Sequence, residues 1–219
     1  MLKSPPTHLT APTLRQSRIR PPASALFLSQ GVRSFPETAS LFPSSPFLAA
    51  ALLRAIDFSS AYVIVELGMG TGAITRQILR RLRPGAELYA FDINPLFVSH
   101  VRHRICDSRF FPILGRAECL SAMLRERGVG RVDAIVSSLG LSCMAPEQRS
   151  RILLQAAEHL GPKGLLTQYQ YLHAKSRLLA SLGGRPFAEQ EFLGRYFREV
   201  SCERVLWNMP PATVYTCRH

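Results

Sequence analysis

The chain has 219 residues, 47% hydrophobic and 19% charged, a length that suits one α/β domain with an appendage and is too short for two ordinary domains. A formal net charge of +12 predicts a surface that attracts phosphate-bearing partners, either nucleic acid or an anionic membrane. The longest apolar run near the start, Phe47 to Ile56, is interrupted by Arg54 and is too short for a transmembrane helix.

Residues 1–35 differ in composition from the rest of the chain. They contain five prolines, several arginines and no acidic residue, which is typical of a disordered basic arm. Within this arm, residues 25–35 have the pattern of a short amphipathic helix, which could either lie on a bilayer surface or pack onto the domain. We therefore predict an arm over residues 1–35 and a folded domain over residues 36–219.

A helix and a strand are predicted next. Ser45 has the properties of a helix N-cap and Pro46 stands at the first helical position, so we expect a helix over the apolar residues that follow. Residues 62–67 are rich in β-branched side chains and predict a buried strand.

A glycine-rich turn follows this strand. Gly68, Gly70 and Gly72 remove the Cβ atoms from one side of the turn, so a ligand can lie almost against the main chain. Helical spacing begins at Thr71, and the N-terminal N–H groups of that helix point toward the same ligand.

Two kinds of ligand suit such a turn. Its first two glycines with Ala73 match the dinucleotide pattern G-x-G-x-x-[GA], whereas Glu66 with all three glycines matches the E-x-G-x-G-x-G pattern of S-adenosylmethionine (SAM) enzymes. Charge favours SAM, because Glu66 would repel a pyrophosphate but attract an ammonium and a sulfonium. Asp92 ends the next strand, where a carboxylate can accept both ribose hydroxyls.

The remainder of the chain alternates helices and strands. The strand at 132–137 is expected beside the first strand, because doubly wound sheets reverse their order there and leave a ligand crevice. The last two strands, 200–207 and 212–217, are joined by so short a link that they must pair antiparallel. The other predicted elements are helices at 71–82, 95–107, 117–127, 145–160 and 188–197 and strands at 87–91, 110–114 and 165–171.

The cysteines and histidines predict neither disulfides nor a metal site. Five cysteines without a C-x-x-C pair indicate free thiols in a reducing compartment. His100, His103 and Cys106 recur every three residues on a predicted helix, but no fourth ligand is suggested nearby.

Three further stretches carry a family resemblance: SLFPSSPFLAAAL before the first strand, VDAIVSSLGLSCM at the fourth strand and the closing WNMPPATVY. With the glycine turn they resemble the class I SAM-dependent methyltransferases, and more narrowly the soluble bacterial phospholipid N-methyltransferases. The resemblance implies a Rossmann-like α/β fold with a seven-stranded, mostly parallel sheet, an antiparallel last strand and helices on both faces. It also implies an enzyme that uses SAM to methylate phosphatidylethanolamine stepwise toward phosphatidylcholine.

The same resemblance implies residue roles around the cofactor. Glu66, Gly68, Gly70 and Gly72 become the cradle of the methionine part, and Asp92 becomes the ribose clamp.

The end of the third strand departs from the family pattern, which has an acidic residue after a glycine to hold the adenine amino group. Here Gly115 is followed by Arg116, Ala117 and Glu118, so either Glu118 takes that role from one turn later or a backbone group does. Ser137, at the end of the fourth strand, completes the predicted cofactor-binding set.

Tyr171 and Asn208 are the predicted catalytic residues. An aromatic face stabilises a methylated ammonium and the Tyr171 hydroxyl can orient the amine, while the Asn208 amide oxygen can accept from it. Tyr169 and Tyr171 alternate along a strand and so share one face, where both could instead be core residues, and Asn208 could be a turn former.

Two other functions stay open at this point. An adenine N6-methyltransferase acting on rRNA or DNA would suit the net charge, but the fourth-strand end, Ser137 to Gly140, lacks the proline and aromatic that grip an extruded base. A non-catalytic binding module on the same fold is the second alternative. The favoured expectation is a cytoplasmic protein peripherally associated with lipid head groups of an anionic membrane.

Overall fold

The computed structural model describes residues 45–172 and 188–219. The predicted arm at 1–35 and its boundary with the domain lie outside these residues. Within them, no helix is both long and apolar enough to cross a membrane. The strands are β1 (Val63–Leu67), β2 (Glu87–Asp92), β3 (Phe110–Leu114), β4 (Val132–Ser137), β5 (Leu160–Tyr171), β6 (Glu199–Val205) and β7 (Ala212–Arg218).

These strands form one sheet in the order β3-β2-β1-β4-β5-β7-β6. Strands β1 to β5 pair in parallel, whereas β7 runs antiparallel to both β5 and β6. The predicted Rossmann-like architecture with an antiparallel last strand is therefore confirmed. β4 pairs with β1 as predicted, so the strand order reverses between them and a crevice opens at their carboxyl ends.

Helices connect the strands in α/β alternation. The first helix begins where the sequence predicts, because the Ser45 hydroxyl accepts the Leu48 N–H at 3.2 Å and Pro46 occupies the first turn. The helices are α1 (Pro46–Leu53), α2 (Ala73–Arg81), α3 (Pro95–Arg104), α4 (Leu120–Arg125), α5 (Pro146–His159) and α6 (Glu189–Leu193).

The core lies on both faces of the sheet. Successive residues of β1 alternate between the faces, so Ile64 packs in the cluster that includes α1 and α2, and Val65 packs in the cluster that includes α5 and α6. Both residues are fully buried. This burial explains why the first strand reads as a continuous apolar run, as expected for a central parallel strand.

Most predicted boundaries differ from the structure by a few residues; the helix predicted at 188–197, for example, spans Glu189–Leu193. Two elements differ more. The sequence suggests a turn at residues 161–164, but these residues lie inside β5, where a register shift pairs Val132 with Leu160 and Ala134 with Leu165. This irregularity needs glycine, since a Cβ on Gly164 would approach the backbone of Gly161 at 3.0 Å.

The helix predicted over residues 117–127 is also interrupted. It divides into a 3₁₀ turn at Ala117–Cys119 and α4. The Gln155 side chain of α5 explains the break, because it accepts the Ser121 N–H and donates to the Glu118 carbonyl. In a continuous α-helix, the Ser121 N–H would instead donate to the Ala117 carbonyl, and the Glu118 carbonyl would accept from the Ala122 N–H.

Candidate active site

The glycine turn lies between β1 and α2, above the crevice at the carboxyl ends of the strands. Gly68, Gly70 and Gly72 have φ angles of 84°, 51° and 79°, in the left-handed region that favours glycine. The Gly68 N–H donates to the Phe91 carbonyl at 2.8 Å, which fixes the turn against the end of β2. The predicted conformation of the turn is thus present.

Glu66 lies beneath this turn and is completely buried. Its Oε2 accepts the Thr75 hydroxyl at 2.7 Å, while Oε1 has no hydrogen-bond partner among the described residues. Burial raises the pKa of the Glu66 carboxyl to about 7; the Thr75 bond opposes this rise and the Asp92 charge adds to it. A cationic group bound in the crevice would give Oε1 a partner and would offset the free-energy cost of burying the carboxylate.

Asp92 closes the other side of the turn. Its Oδ2 accepts the Gly70 N–H at 2.8 Å, and its Oδ1 accepts the Asn94 N–H at 2.8 Å. Burial raises the pKa of Asp92 despite these bonds from the backbone. Each carboxylate oxygen still has a lone pair to offer, so Asp92 can hold the turn and accept ligand hydroxyls together.

Space above the turn depends on the missing side chains. A Cβ on Gly68 would lie 3.4 Å from the Leu139 Cδ2 atom, and a Cβ on Gly72 would lie 3.3 Å from Val101. The residues present therefore fit a ligand that carries positive charge and needs close main-chain approach, which describes SAM better than a dinucleotide.

The end of β3 carries an ion pair in place of a free acidic side chain. Glu118 Oε1 accepts from Arg116 at 2.9 Å and from Gln148 at 2.6 Å. Burial alone would raise the pKa of Glu118, but hydrogen bonds from its own backbone N–H, Arg116 and Gln148 hold it below its ordinary value. Because Arg116 and Gln148 engage only Oε1, both predicted options for the adenine contact, Glu118 and a backbone group, stay open.

The end of β4 forms the opposite wall of the crevice. The Ser138 N–H donates to the Leu67 carbonyl at 2.8 Å, which ties this wall to β1. Ser137 is buried and its hydroxyl accepts the Leu139 N–H at 3.4 Å. The Ser138 hydroxyl is buried without a hydrogen-bond partner among the described residues.

A pocket opens where β4 and β5 end. Residues Ser138 to Cys143 form one side, and Tyr169, Tyr171 and Glu189 contribute to the other. Tyr169 and Tyr171 share a face of β5, as predicted, and their rings contact edge to face with centroids 5.1 Å apart. The pocket adjoins the glycine turn, since Ser138 and Leu139 are the residues nearest to Gly68.

Comparison with known proteins assigns this site to a family. Residues 64–164 match the methyltransferase domain family. The ornithine lipid N-methyltransferase of Singulisphaera acidiphila is 31% identical over 194 residues, which cover 88% of this chain and 94% of that enzyme. The chain belongs to the class I SAM-dependent methyltransferases. S-adenosylmethionine is therefore its cofactor, as the turn and its two carboxylates predict.

Other methyltransferases match over shorter spans. The ribosomal RNA small subunit methyltransferase H of Nitrosomonas eutropha is 32% identical over 97 residues, 44% of this chain and 30% of that enzyme. The structure of human N-acetylserotonin methyltransferase in complex with SAM has a TM-score of 0.59 at 18% identity and covers 89% of this chain and 56% of that one. The matched part of this chain thus covers less than a third of the first protein and just over half of the second.

The methyltransferase fold brings most predicted cofactor residues together. Glu66, the three glycines and Asp92 surround one turn, and Ser137 lies on the adjacent strand, while Arg116 is largely exposed and pairs with Glu118. The part of the cofactor that each residue contacts stays a prediction.

The two predicted catalytic residues occupy different surroundings. Tyr171 is mostly buried but borders the pocket, so both its core role and its substrate role remain compatible with the structure. Asn208 is tied up at both ends of its amide: Oδ1 accepts the Ser45 N–H at 3.3 Å and Nδ2 donates to the Pro210 carbonyl at 2.6 Å. In this methyltransferase, Asn208 connects the β6–β7 link to the start of α1.

One pocket residue is not marked by any sequence pattern. Glu189 begins α6 and is 2% exposed, and neither of its carboxylate oxygens has a hydrogen-bond partner among the described residues. Its sequence neighbourhood contains another glutamate, Glu191, and no motif, so no sequence pattern separates the buried carboxylate from the exposed one.

Proposed function

We propose that this methyltransferase transfers methyl groups to the primary amine of a membrane lipid, and that phosphatidylethanolamine is methylated stepwise toward phosphatidylcholine. The observation that carries the proposal is the similarity to the ornithine lipid N-methyltransferase along nearly the full length of both chains. The closing Asn208, Pro210 and Pro211, which suggest a lipid N-methyltransferase from the sequence, come just before β7, whose first residue, Ala212, pairs with the pocket residue Tyr171.

The site suits an amine acceptor chemically. SAM supplies a methyl group on a sulfonium, and the chain has to hold a neutral amine in line with it and exclude water. The pocket beside the glycine turn offers Tyr171 for an alkylated ammonium and buried polar atoms for an amine. A positive acceptor also suits a crevice whose buried side chains Glu66, Asp92 and Glu189 are acidic.

An apolar tip supports a lipid acceptor. We define it as Leu206, Trp207 and Met209, which join β6 to β7 and are 65%, 84% and 85% exposed. Ala212 at the start of β7 pairs with Tyr171 at the carboxyl end of β5, so the tip stands at the same edge of the sheet as the pocket. Trp and other large apolar side chains are favoured at bilayer surfaces.

This placement suggests how a lipid reaches the site. Inserting the apolar tip into a bilayer would bring the head-group layer to the edge of the sheet where the pocket opens. The acyl chains could then stay in the membrane while only the amine enters. We accordingly propose peripheral membrane association of a cytoplasmic protein, with the basic arm at 1–35 adding attraction to anionic lipid head groups.

A second candidate function is base methylation of RNA. It is supported by the partial match to the ribosomal RNA methyltransferase and by the net charge of +12. The end of β4 weighs against it, because Ser137, Ser138 and Leu139 offer no aromatic side chain to stack on an extruded base.

The experiment that separates these functions is a transfer assay with methyl-labelled SAM. Purified protein is mixed in parallel with vesicles containing phosphatidylethanolamine, vesicles containing ornithine lipid, and ribosomal RNA. Vesicles of pure phosphatidylcholine serve as the control, because their amine is already fully methylated. Label in phosphatidylethanolamine is expected; label in ornithine lipid alone would correct the head group, and label in RNA alone would overturn the proposal.

A further inference from the structure

Glu189 is a buried carboxyl group without a hydrogen-bond partner among the described residues. The side chain is 2% exposed, and both oxygens lack hydrogen-bond partners among the described residues. An isolated buried carboxylate is costly, so proteins normally pair it or use it. Since Glu189 borders the pocket at the ends of β4 and β5, a ligand in that pocket can supply the missing partner.

Another unpaired polar atom borders the same pocket. The Ser138 hydroxyl, on the pocket wall, is buried without a partner among the described residues. The wall is held in place by Gln168, whose amide nitrogen donates to the carbonyls of the lining residues Leu139 and Tyr169. An ionised Glu189 can only accept hydrogen bonds and the Ser138 hydroxyl can accept as well, so they suit a donor with several N–H groups.

We propose that Glu189 forms the ammonium subsite for the methyl acceptor, and that its carboxylate takes one N–H proton before the methyl group is transferred. This inference rests on the proposed lipid-amine function and assigns the acceptor side of the same site. A primary ammonium fits the surroundings, because it offers three N–H donors and one positive charge.

The chemistry balances without a further reagent. An acceptor ammonium gives one proton to the Glu189 carboxylate, which becomes a neutral carboxylic acid. The freed nitrogen lone pair then forms the N–CH₃ bond, while the electron pair of the S–CH₃ bond stays on sulfur. The new secondary ammonium carries the positive charge that the sulfonium has lost, and Glu189 returns its proton to solvent before the next round.

The charged and titratable groups facing Glu189 agree with this role. Burial raises the pKa of Glu189 to about 8, and the positive charge of Arg149 on α5 lowers it in part. Tyr215 and Cys217 on β7 also face it, and burial raises the pKa of each to about 12, so neither carries charge at neutral pH. A carboxyl whose pKa lies near the pH of the reaction medium is well matched to proton transfer.

The test compares Glu189→Gln with two other variants. Glu191→Gln is the matched control, because Glu191 lies on the same short helix but its side chain is 75% exposed and pairs with Arg195. Glu189→Asp keeps a carboxylate and serves as the conservative variant. For each protein, kcat/KM toward phosphatidylethanolamine vesicles is measured across pH, affinity for the demethylated cofactor by calorimetry, and folding by thermal unfolding.

We expect Glu189→Gln to lower kcat/KM by about 100-fold or more while cofactor affinity stays unchanged, since a positioned base contributes about this much. Its residual rate should rise with pH toward the pKa of the free amine, because solvent must then remove the proton. Glu189→Asp should fall between this variant and the parent protein, and Glu191→Gln should match the parent.

Two outcomes overturn the inference separately. If the parent protein methylates lipid amines and Glu189→Gln retains its rate and pH profile, the subsite is wrong while the proposed function stands. If the parent protein transfers no label to any lipid amine, the proposed function fails and the subsite fails with it. Should Glu189→Gln not fold, a Glu189→Asp variant with parental kcat/KM and an unshifted pH profile would count against the proton-transfer role.

Discussion

The cofactor cradle and the acceptor pocket adjoin each other but are built differently. In the cradle, main-chain hydrogen bonds hold the turn, since the Gly70 N–H bonds to Asp92 and the Gly68 N–H bonds to the Phe91 carbonyl. One cradle atom, Glu66 Oε1, has no partner among the described residues. In the pocket, the polar atoms of Ser138 and Glu189 have no partners among the described residues.

This difference indicates which part of the site already has its binding conformation before the ligand arrives. A turn fixed by backbone hydrogen bonds can receive SAM with little rearrangement, which lowers the entropy lost on binding. The buried polar atoms of the pocket have no such bonds among the described residues, and the proposed acceptor would supply them. We therefore expect cradle substitutions to act on cofactor affinity and pocket substitutions to act on acceptor turnover.

The largest expected effect is in the cradle. Asp92→Ala removes the acceptor of the Gly70 N–H and the proposed ribose contact, and hydrogen bonds to a charged group each contribute about 1.5–3 kcal/mol. SAM affinity measured by calorimetry should fall by about 100-fold or more. Asp133→Ala is the matched control, because Asp133 also accepts two backbone N–H groups but at the opposite end of β1. Unchanged affinity in Asp92→Ala would remove the ribose-clamp role.

Gly68→Ala should have the next largest effect on cofactor binding. The added Cβ would press toward Leu139 across the space that the cofactor needs, and a φ of 84° disfavours alanine. We expect SAM affinity to drop by about tenfold. Gly85→Ala isolates the backbone cost, since Gly85 has a φ of 76° and open space around it. Equal SAM affinities in Gly68→Ala and Gly85→Ala would contradict the proposal that the cofactor lies against Gly68.

A smaller effect is expected from the apolar tip, which tests how a lipid reaches the pocket. Replacing Leu206, Trp207 and Met209 together by serine should weaken sedimentation with phosphatidylethanolamine vesicles by about tenfold, because their apolar area no longer enters the bilayer. Leu154→Ser on α5 is the control, with an exposed apolar side chain away from the tip. If the triple variant binds vesicles normally, the apolar tip has no role in membrane association.

Membrane binding through the basic arm should depend on salt, unlike binding through the apolar tip. Deleting residues 1–35 removes Lys3, Arg15, Arg18, Arg20 and Arg33 and no acidic residue. Because surface attraction between charges is screened by salt, this deletion should weaken sedimentation with anionic vesicles at low salt and have little effect at high salt. A salt-independent loss would mean that the arm acts through its apolar residues.

The smallest expected effect concerns stability and pH at Glu189. Burial raises its pKa from 4.5 to about 8, so between these values the folded state holds a proton that the unfolded state has lost. Stability that is present below this window is therefore lost as pH rises through it. Glu189→Gln cannot ionise, so its melting temperature should approach that of the parent protein at about pH 4 and exceed it by several degrees at about pH 9. A difference independent of pH would contradict this assignment.

The cradle could be predicted because its determinants are close together in the sequence. Glu66 and three glycines fall within seven residues, and their pattern specifies both the turn and the charge of its ligand. Two features of the strand arrangement were also predicted and are confirmed: β4 lies beside β1, and β6 pairs antiparallel with β7. The sequence did not reveal that β5 begins at Leu160, because residues 161–164, where β5 pairs irregularly with β4, have the glycine and proline composition of a turn.

The fold class, the cofactor and the residues of the glycine turn could therefore be predicted from the sequence. Their signals are the alternation of elements, the charge of Glu66 beside the glycines and the family resemblance, all of which lie in short stretches of the chain. Only the tertiary structure decided which polar side chains are already engaged. It showed that Ser45 and Pro210 use both ends of the Asn208 amide and that Arg116 and Gln148 use Glu118. It also buried Glu189 beside the pocket, because burial and hydrogen-bond partners come from segments far apart in the chain.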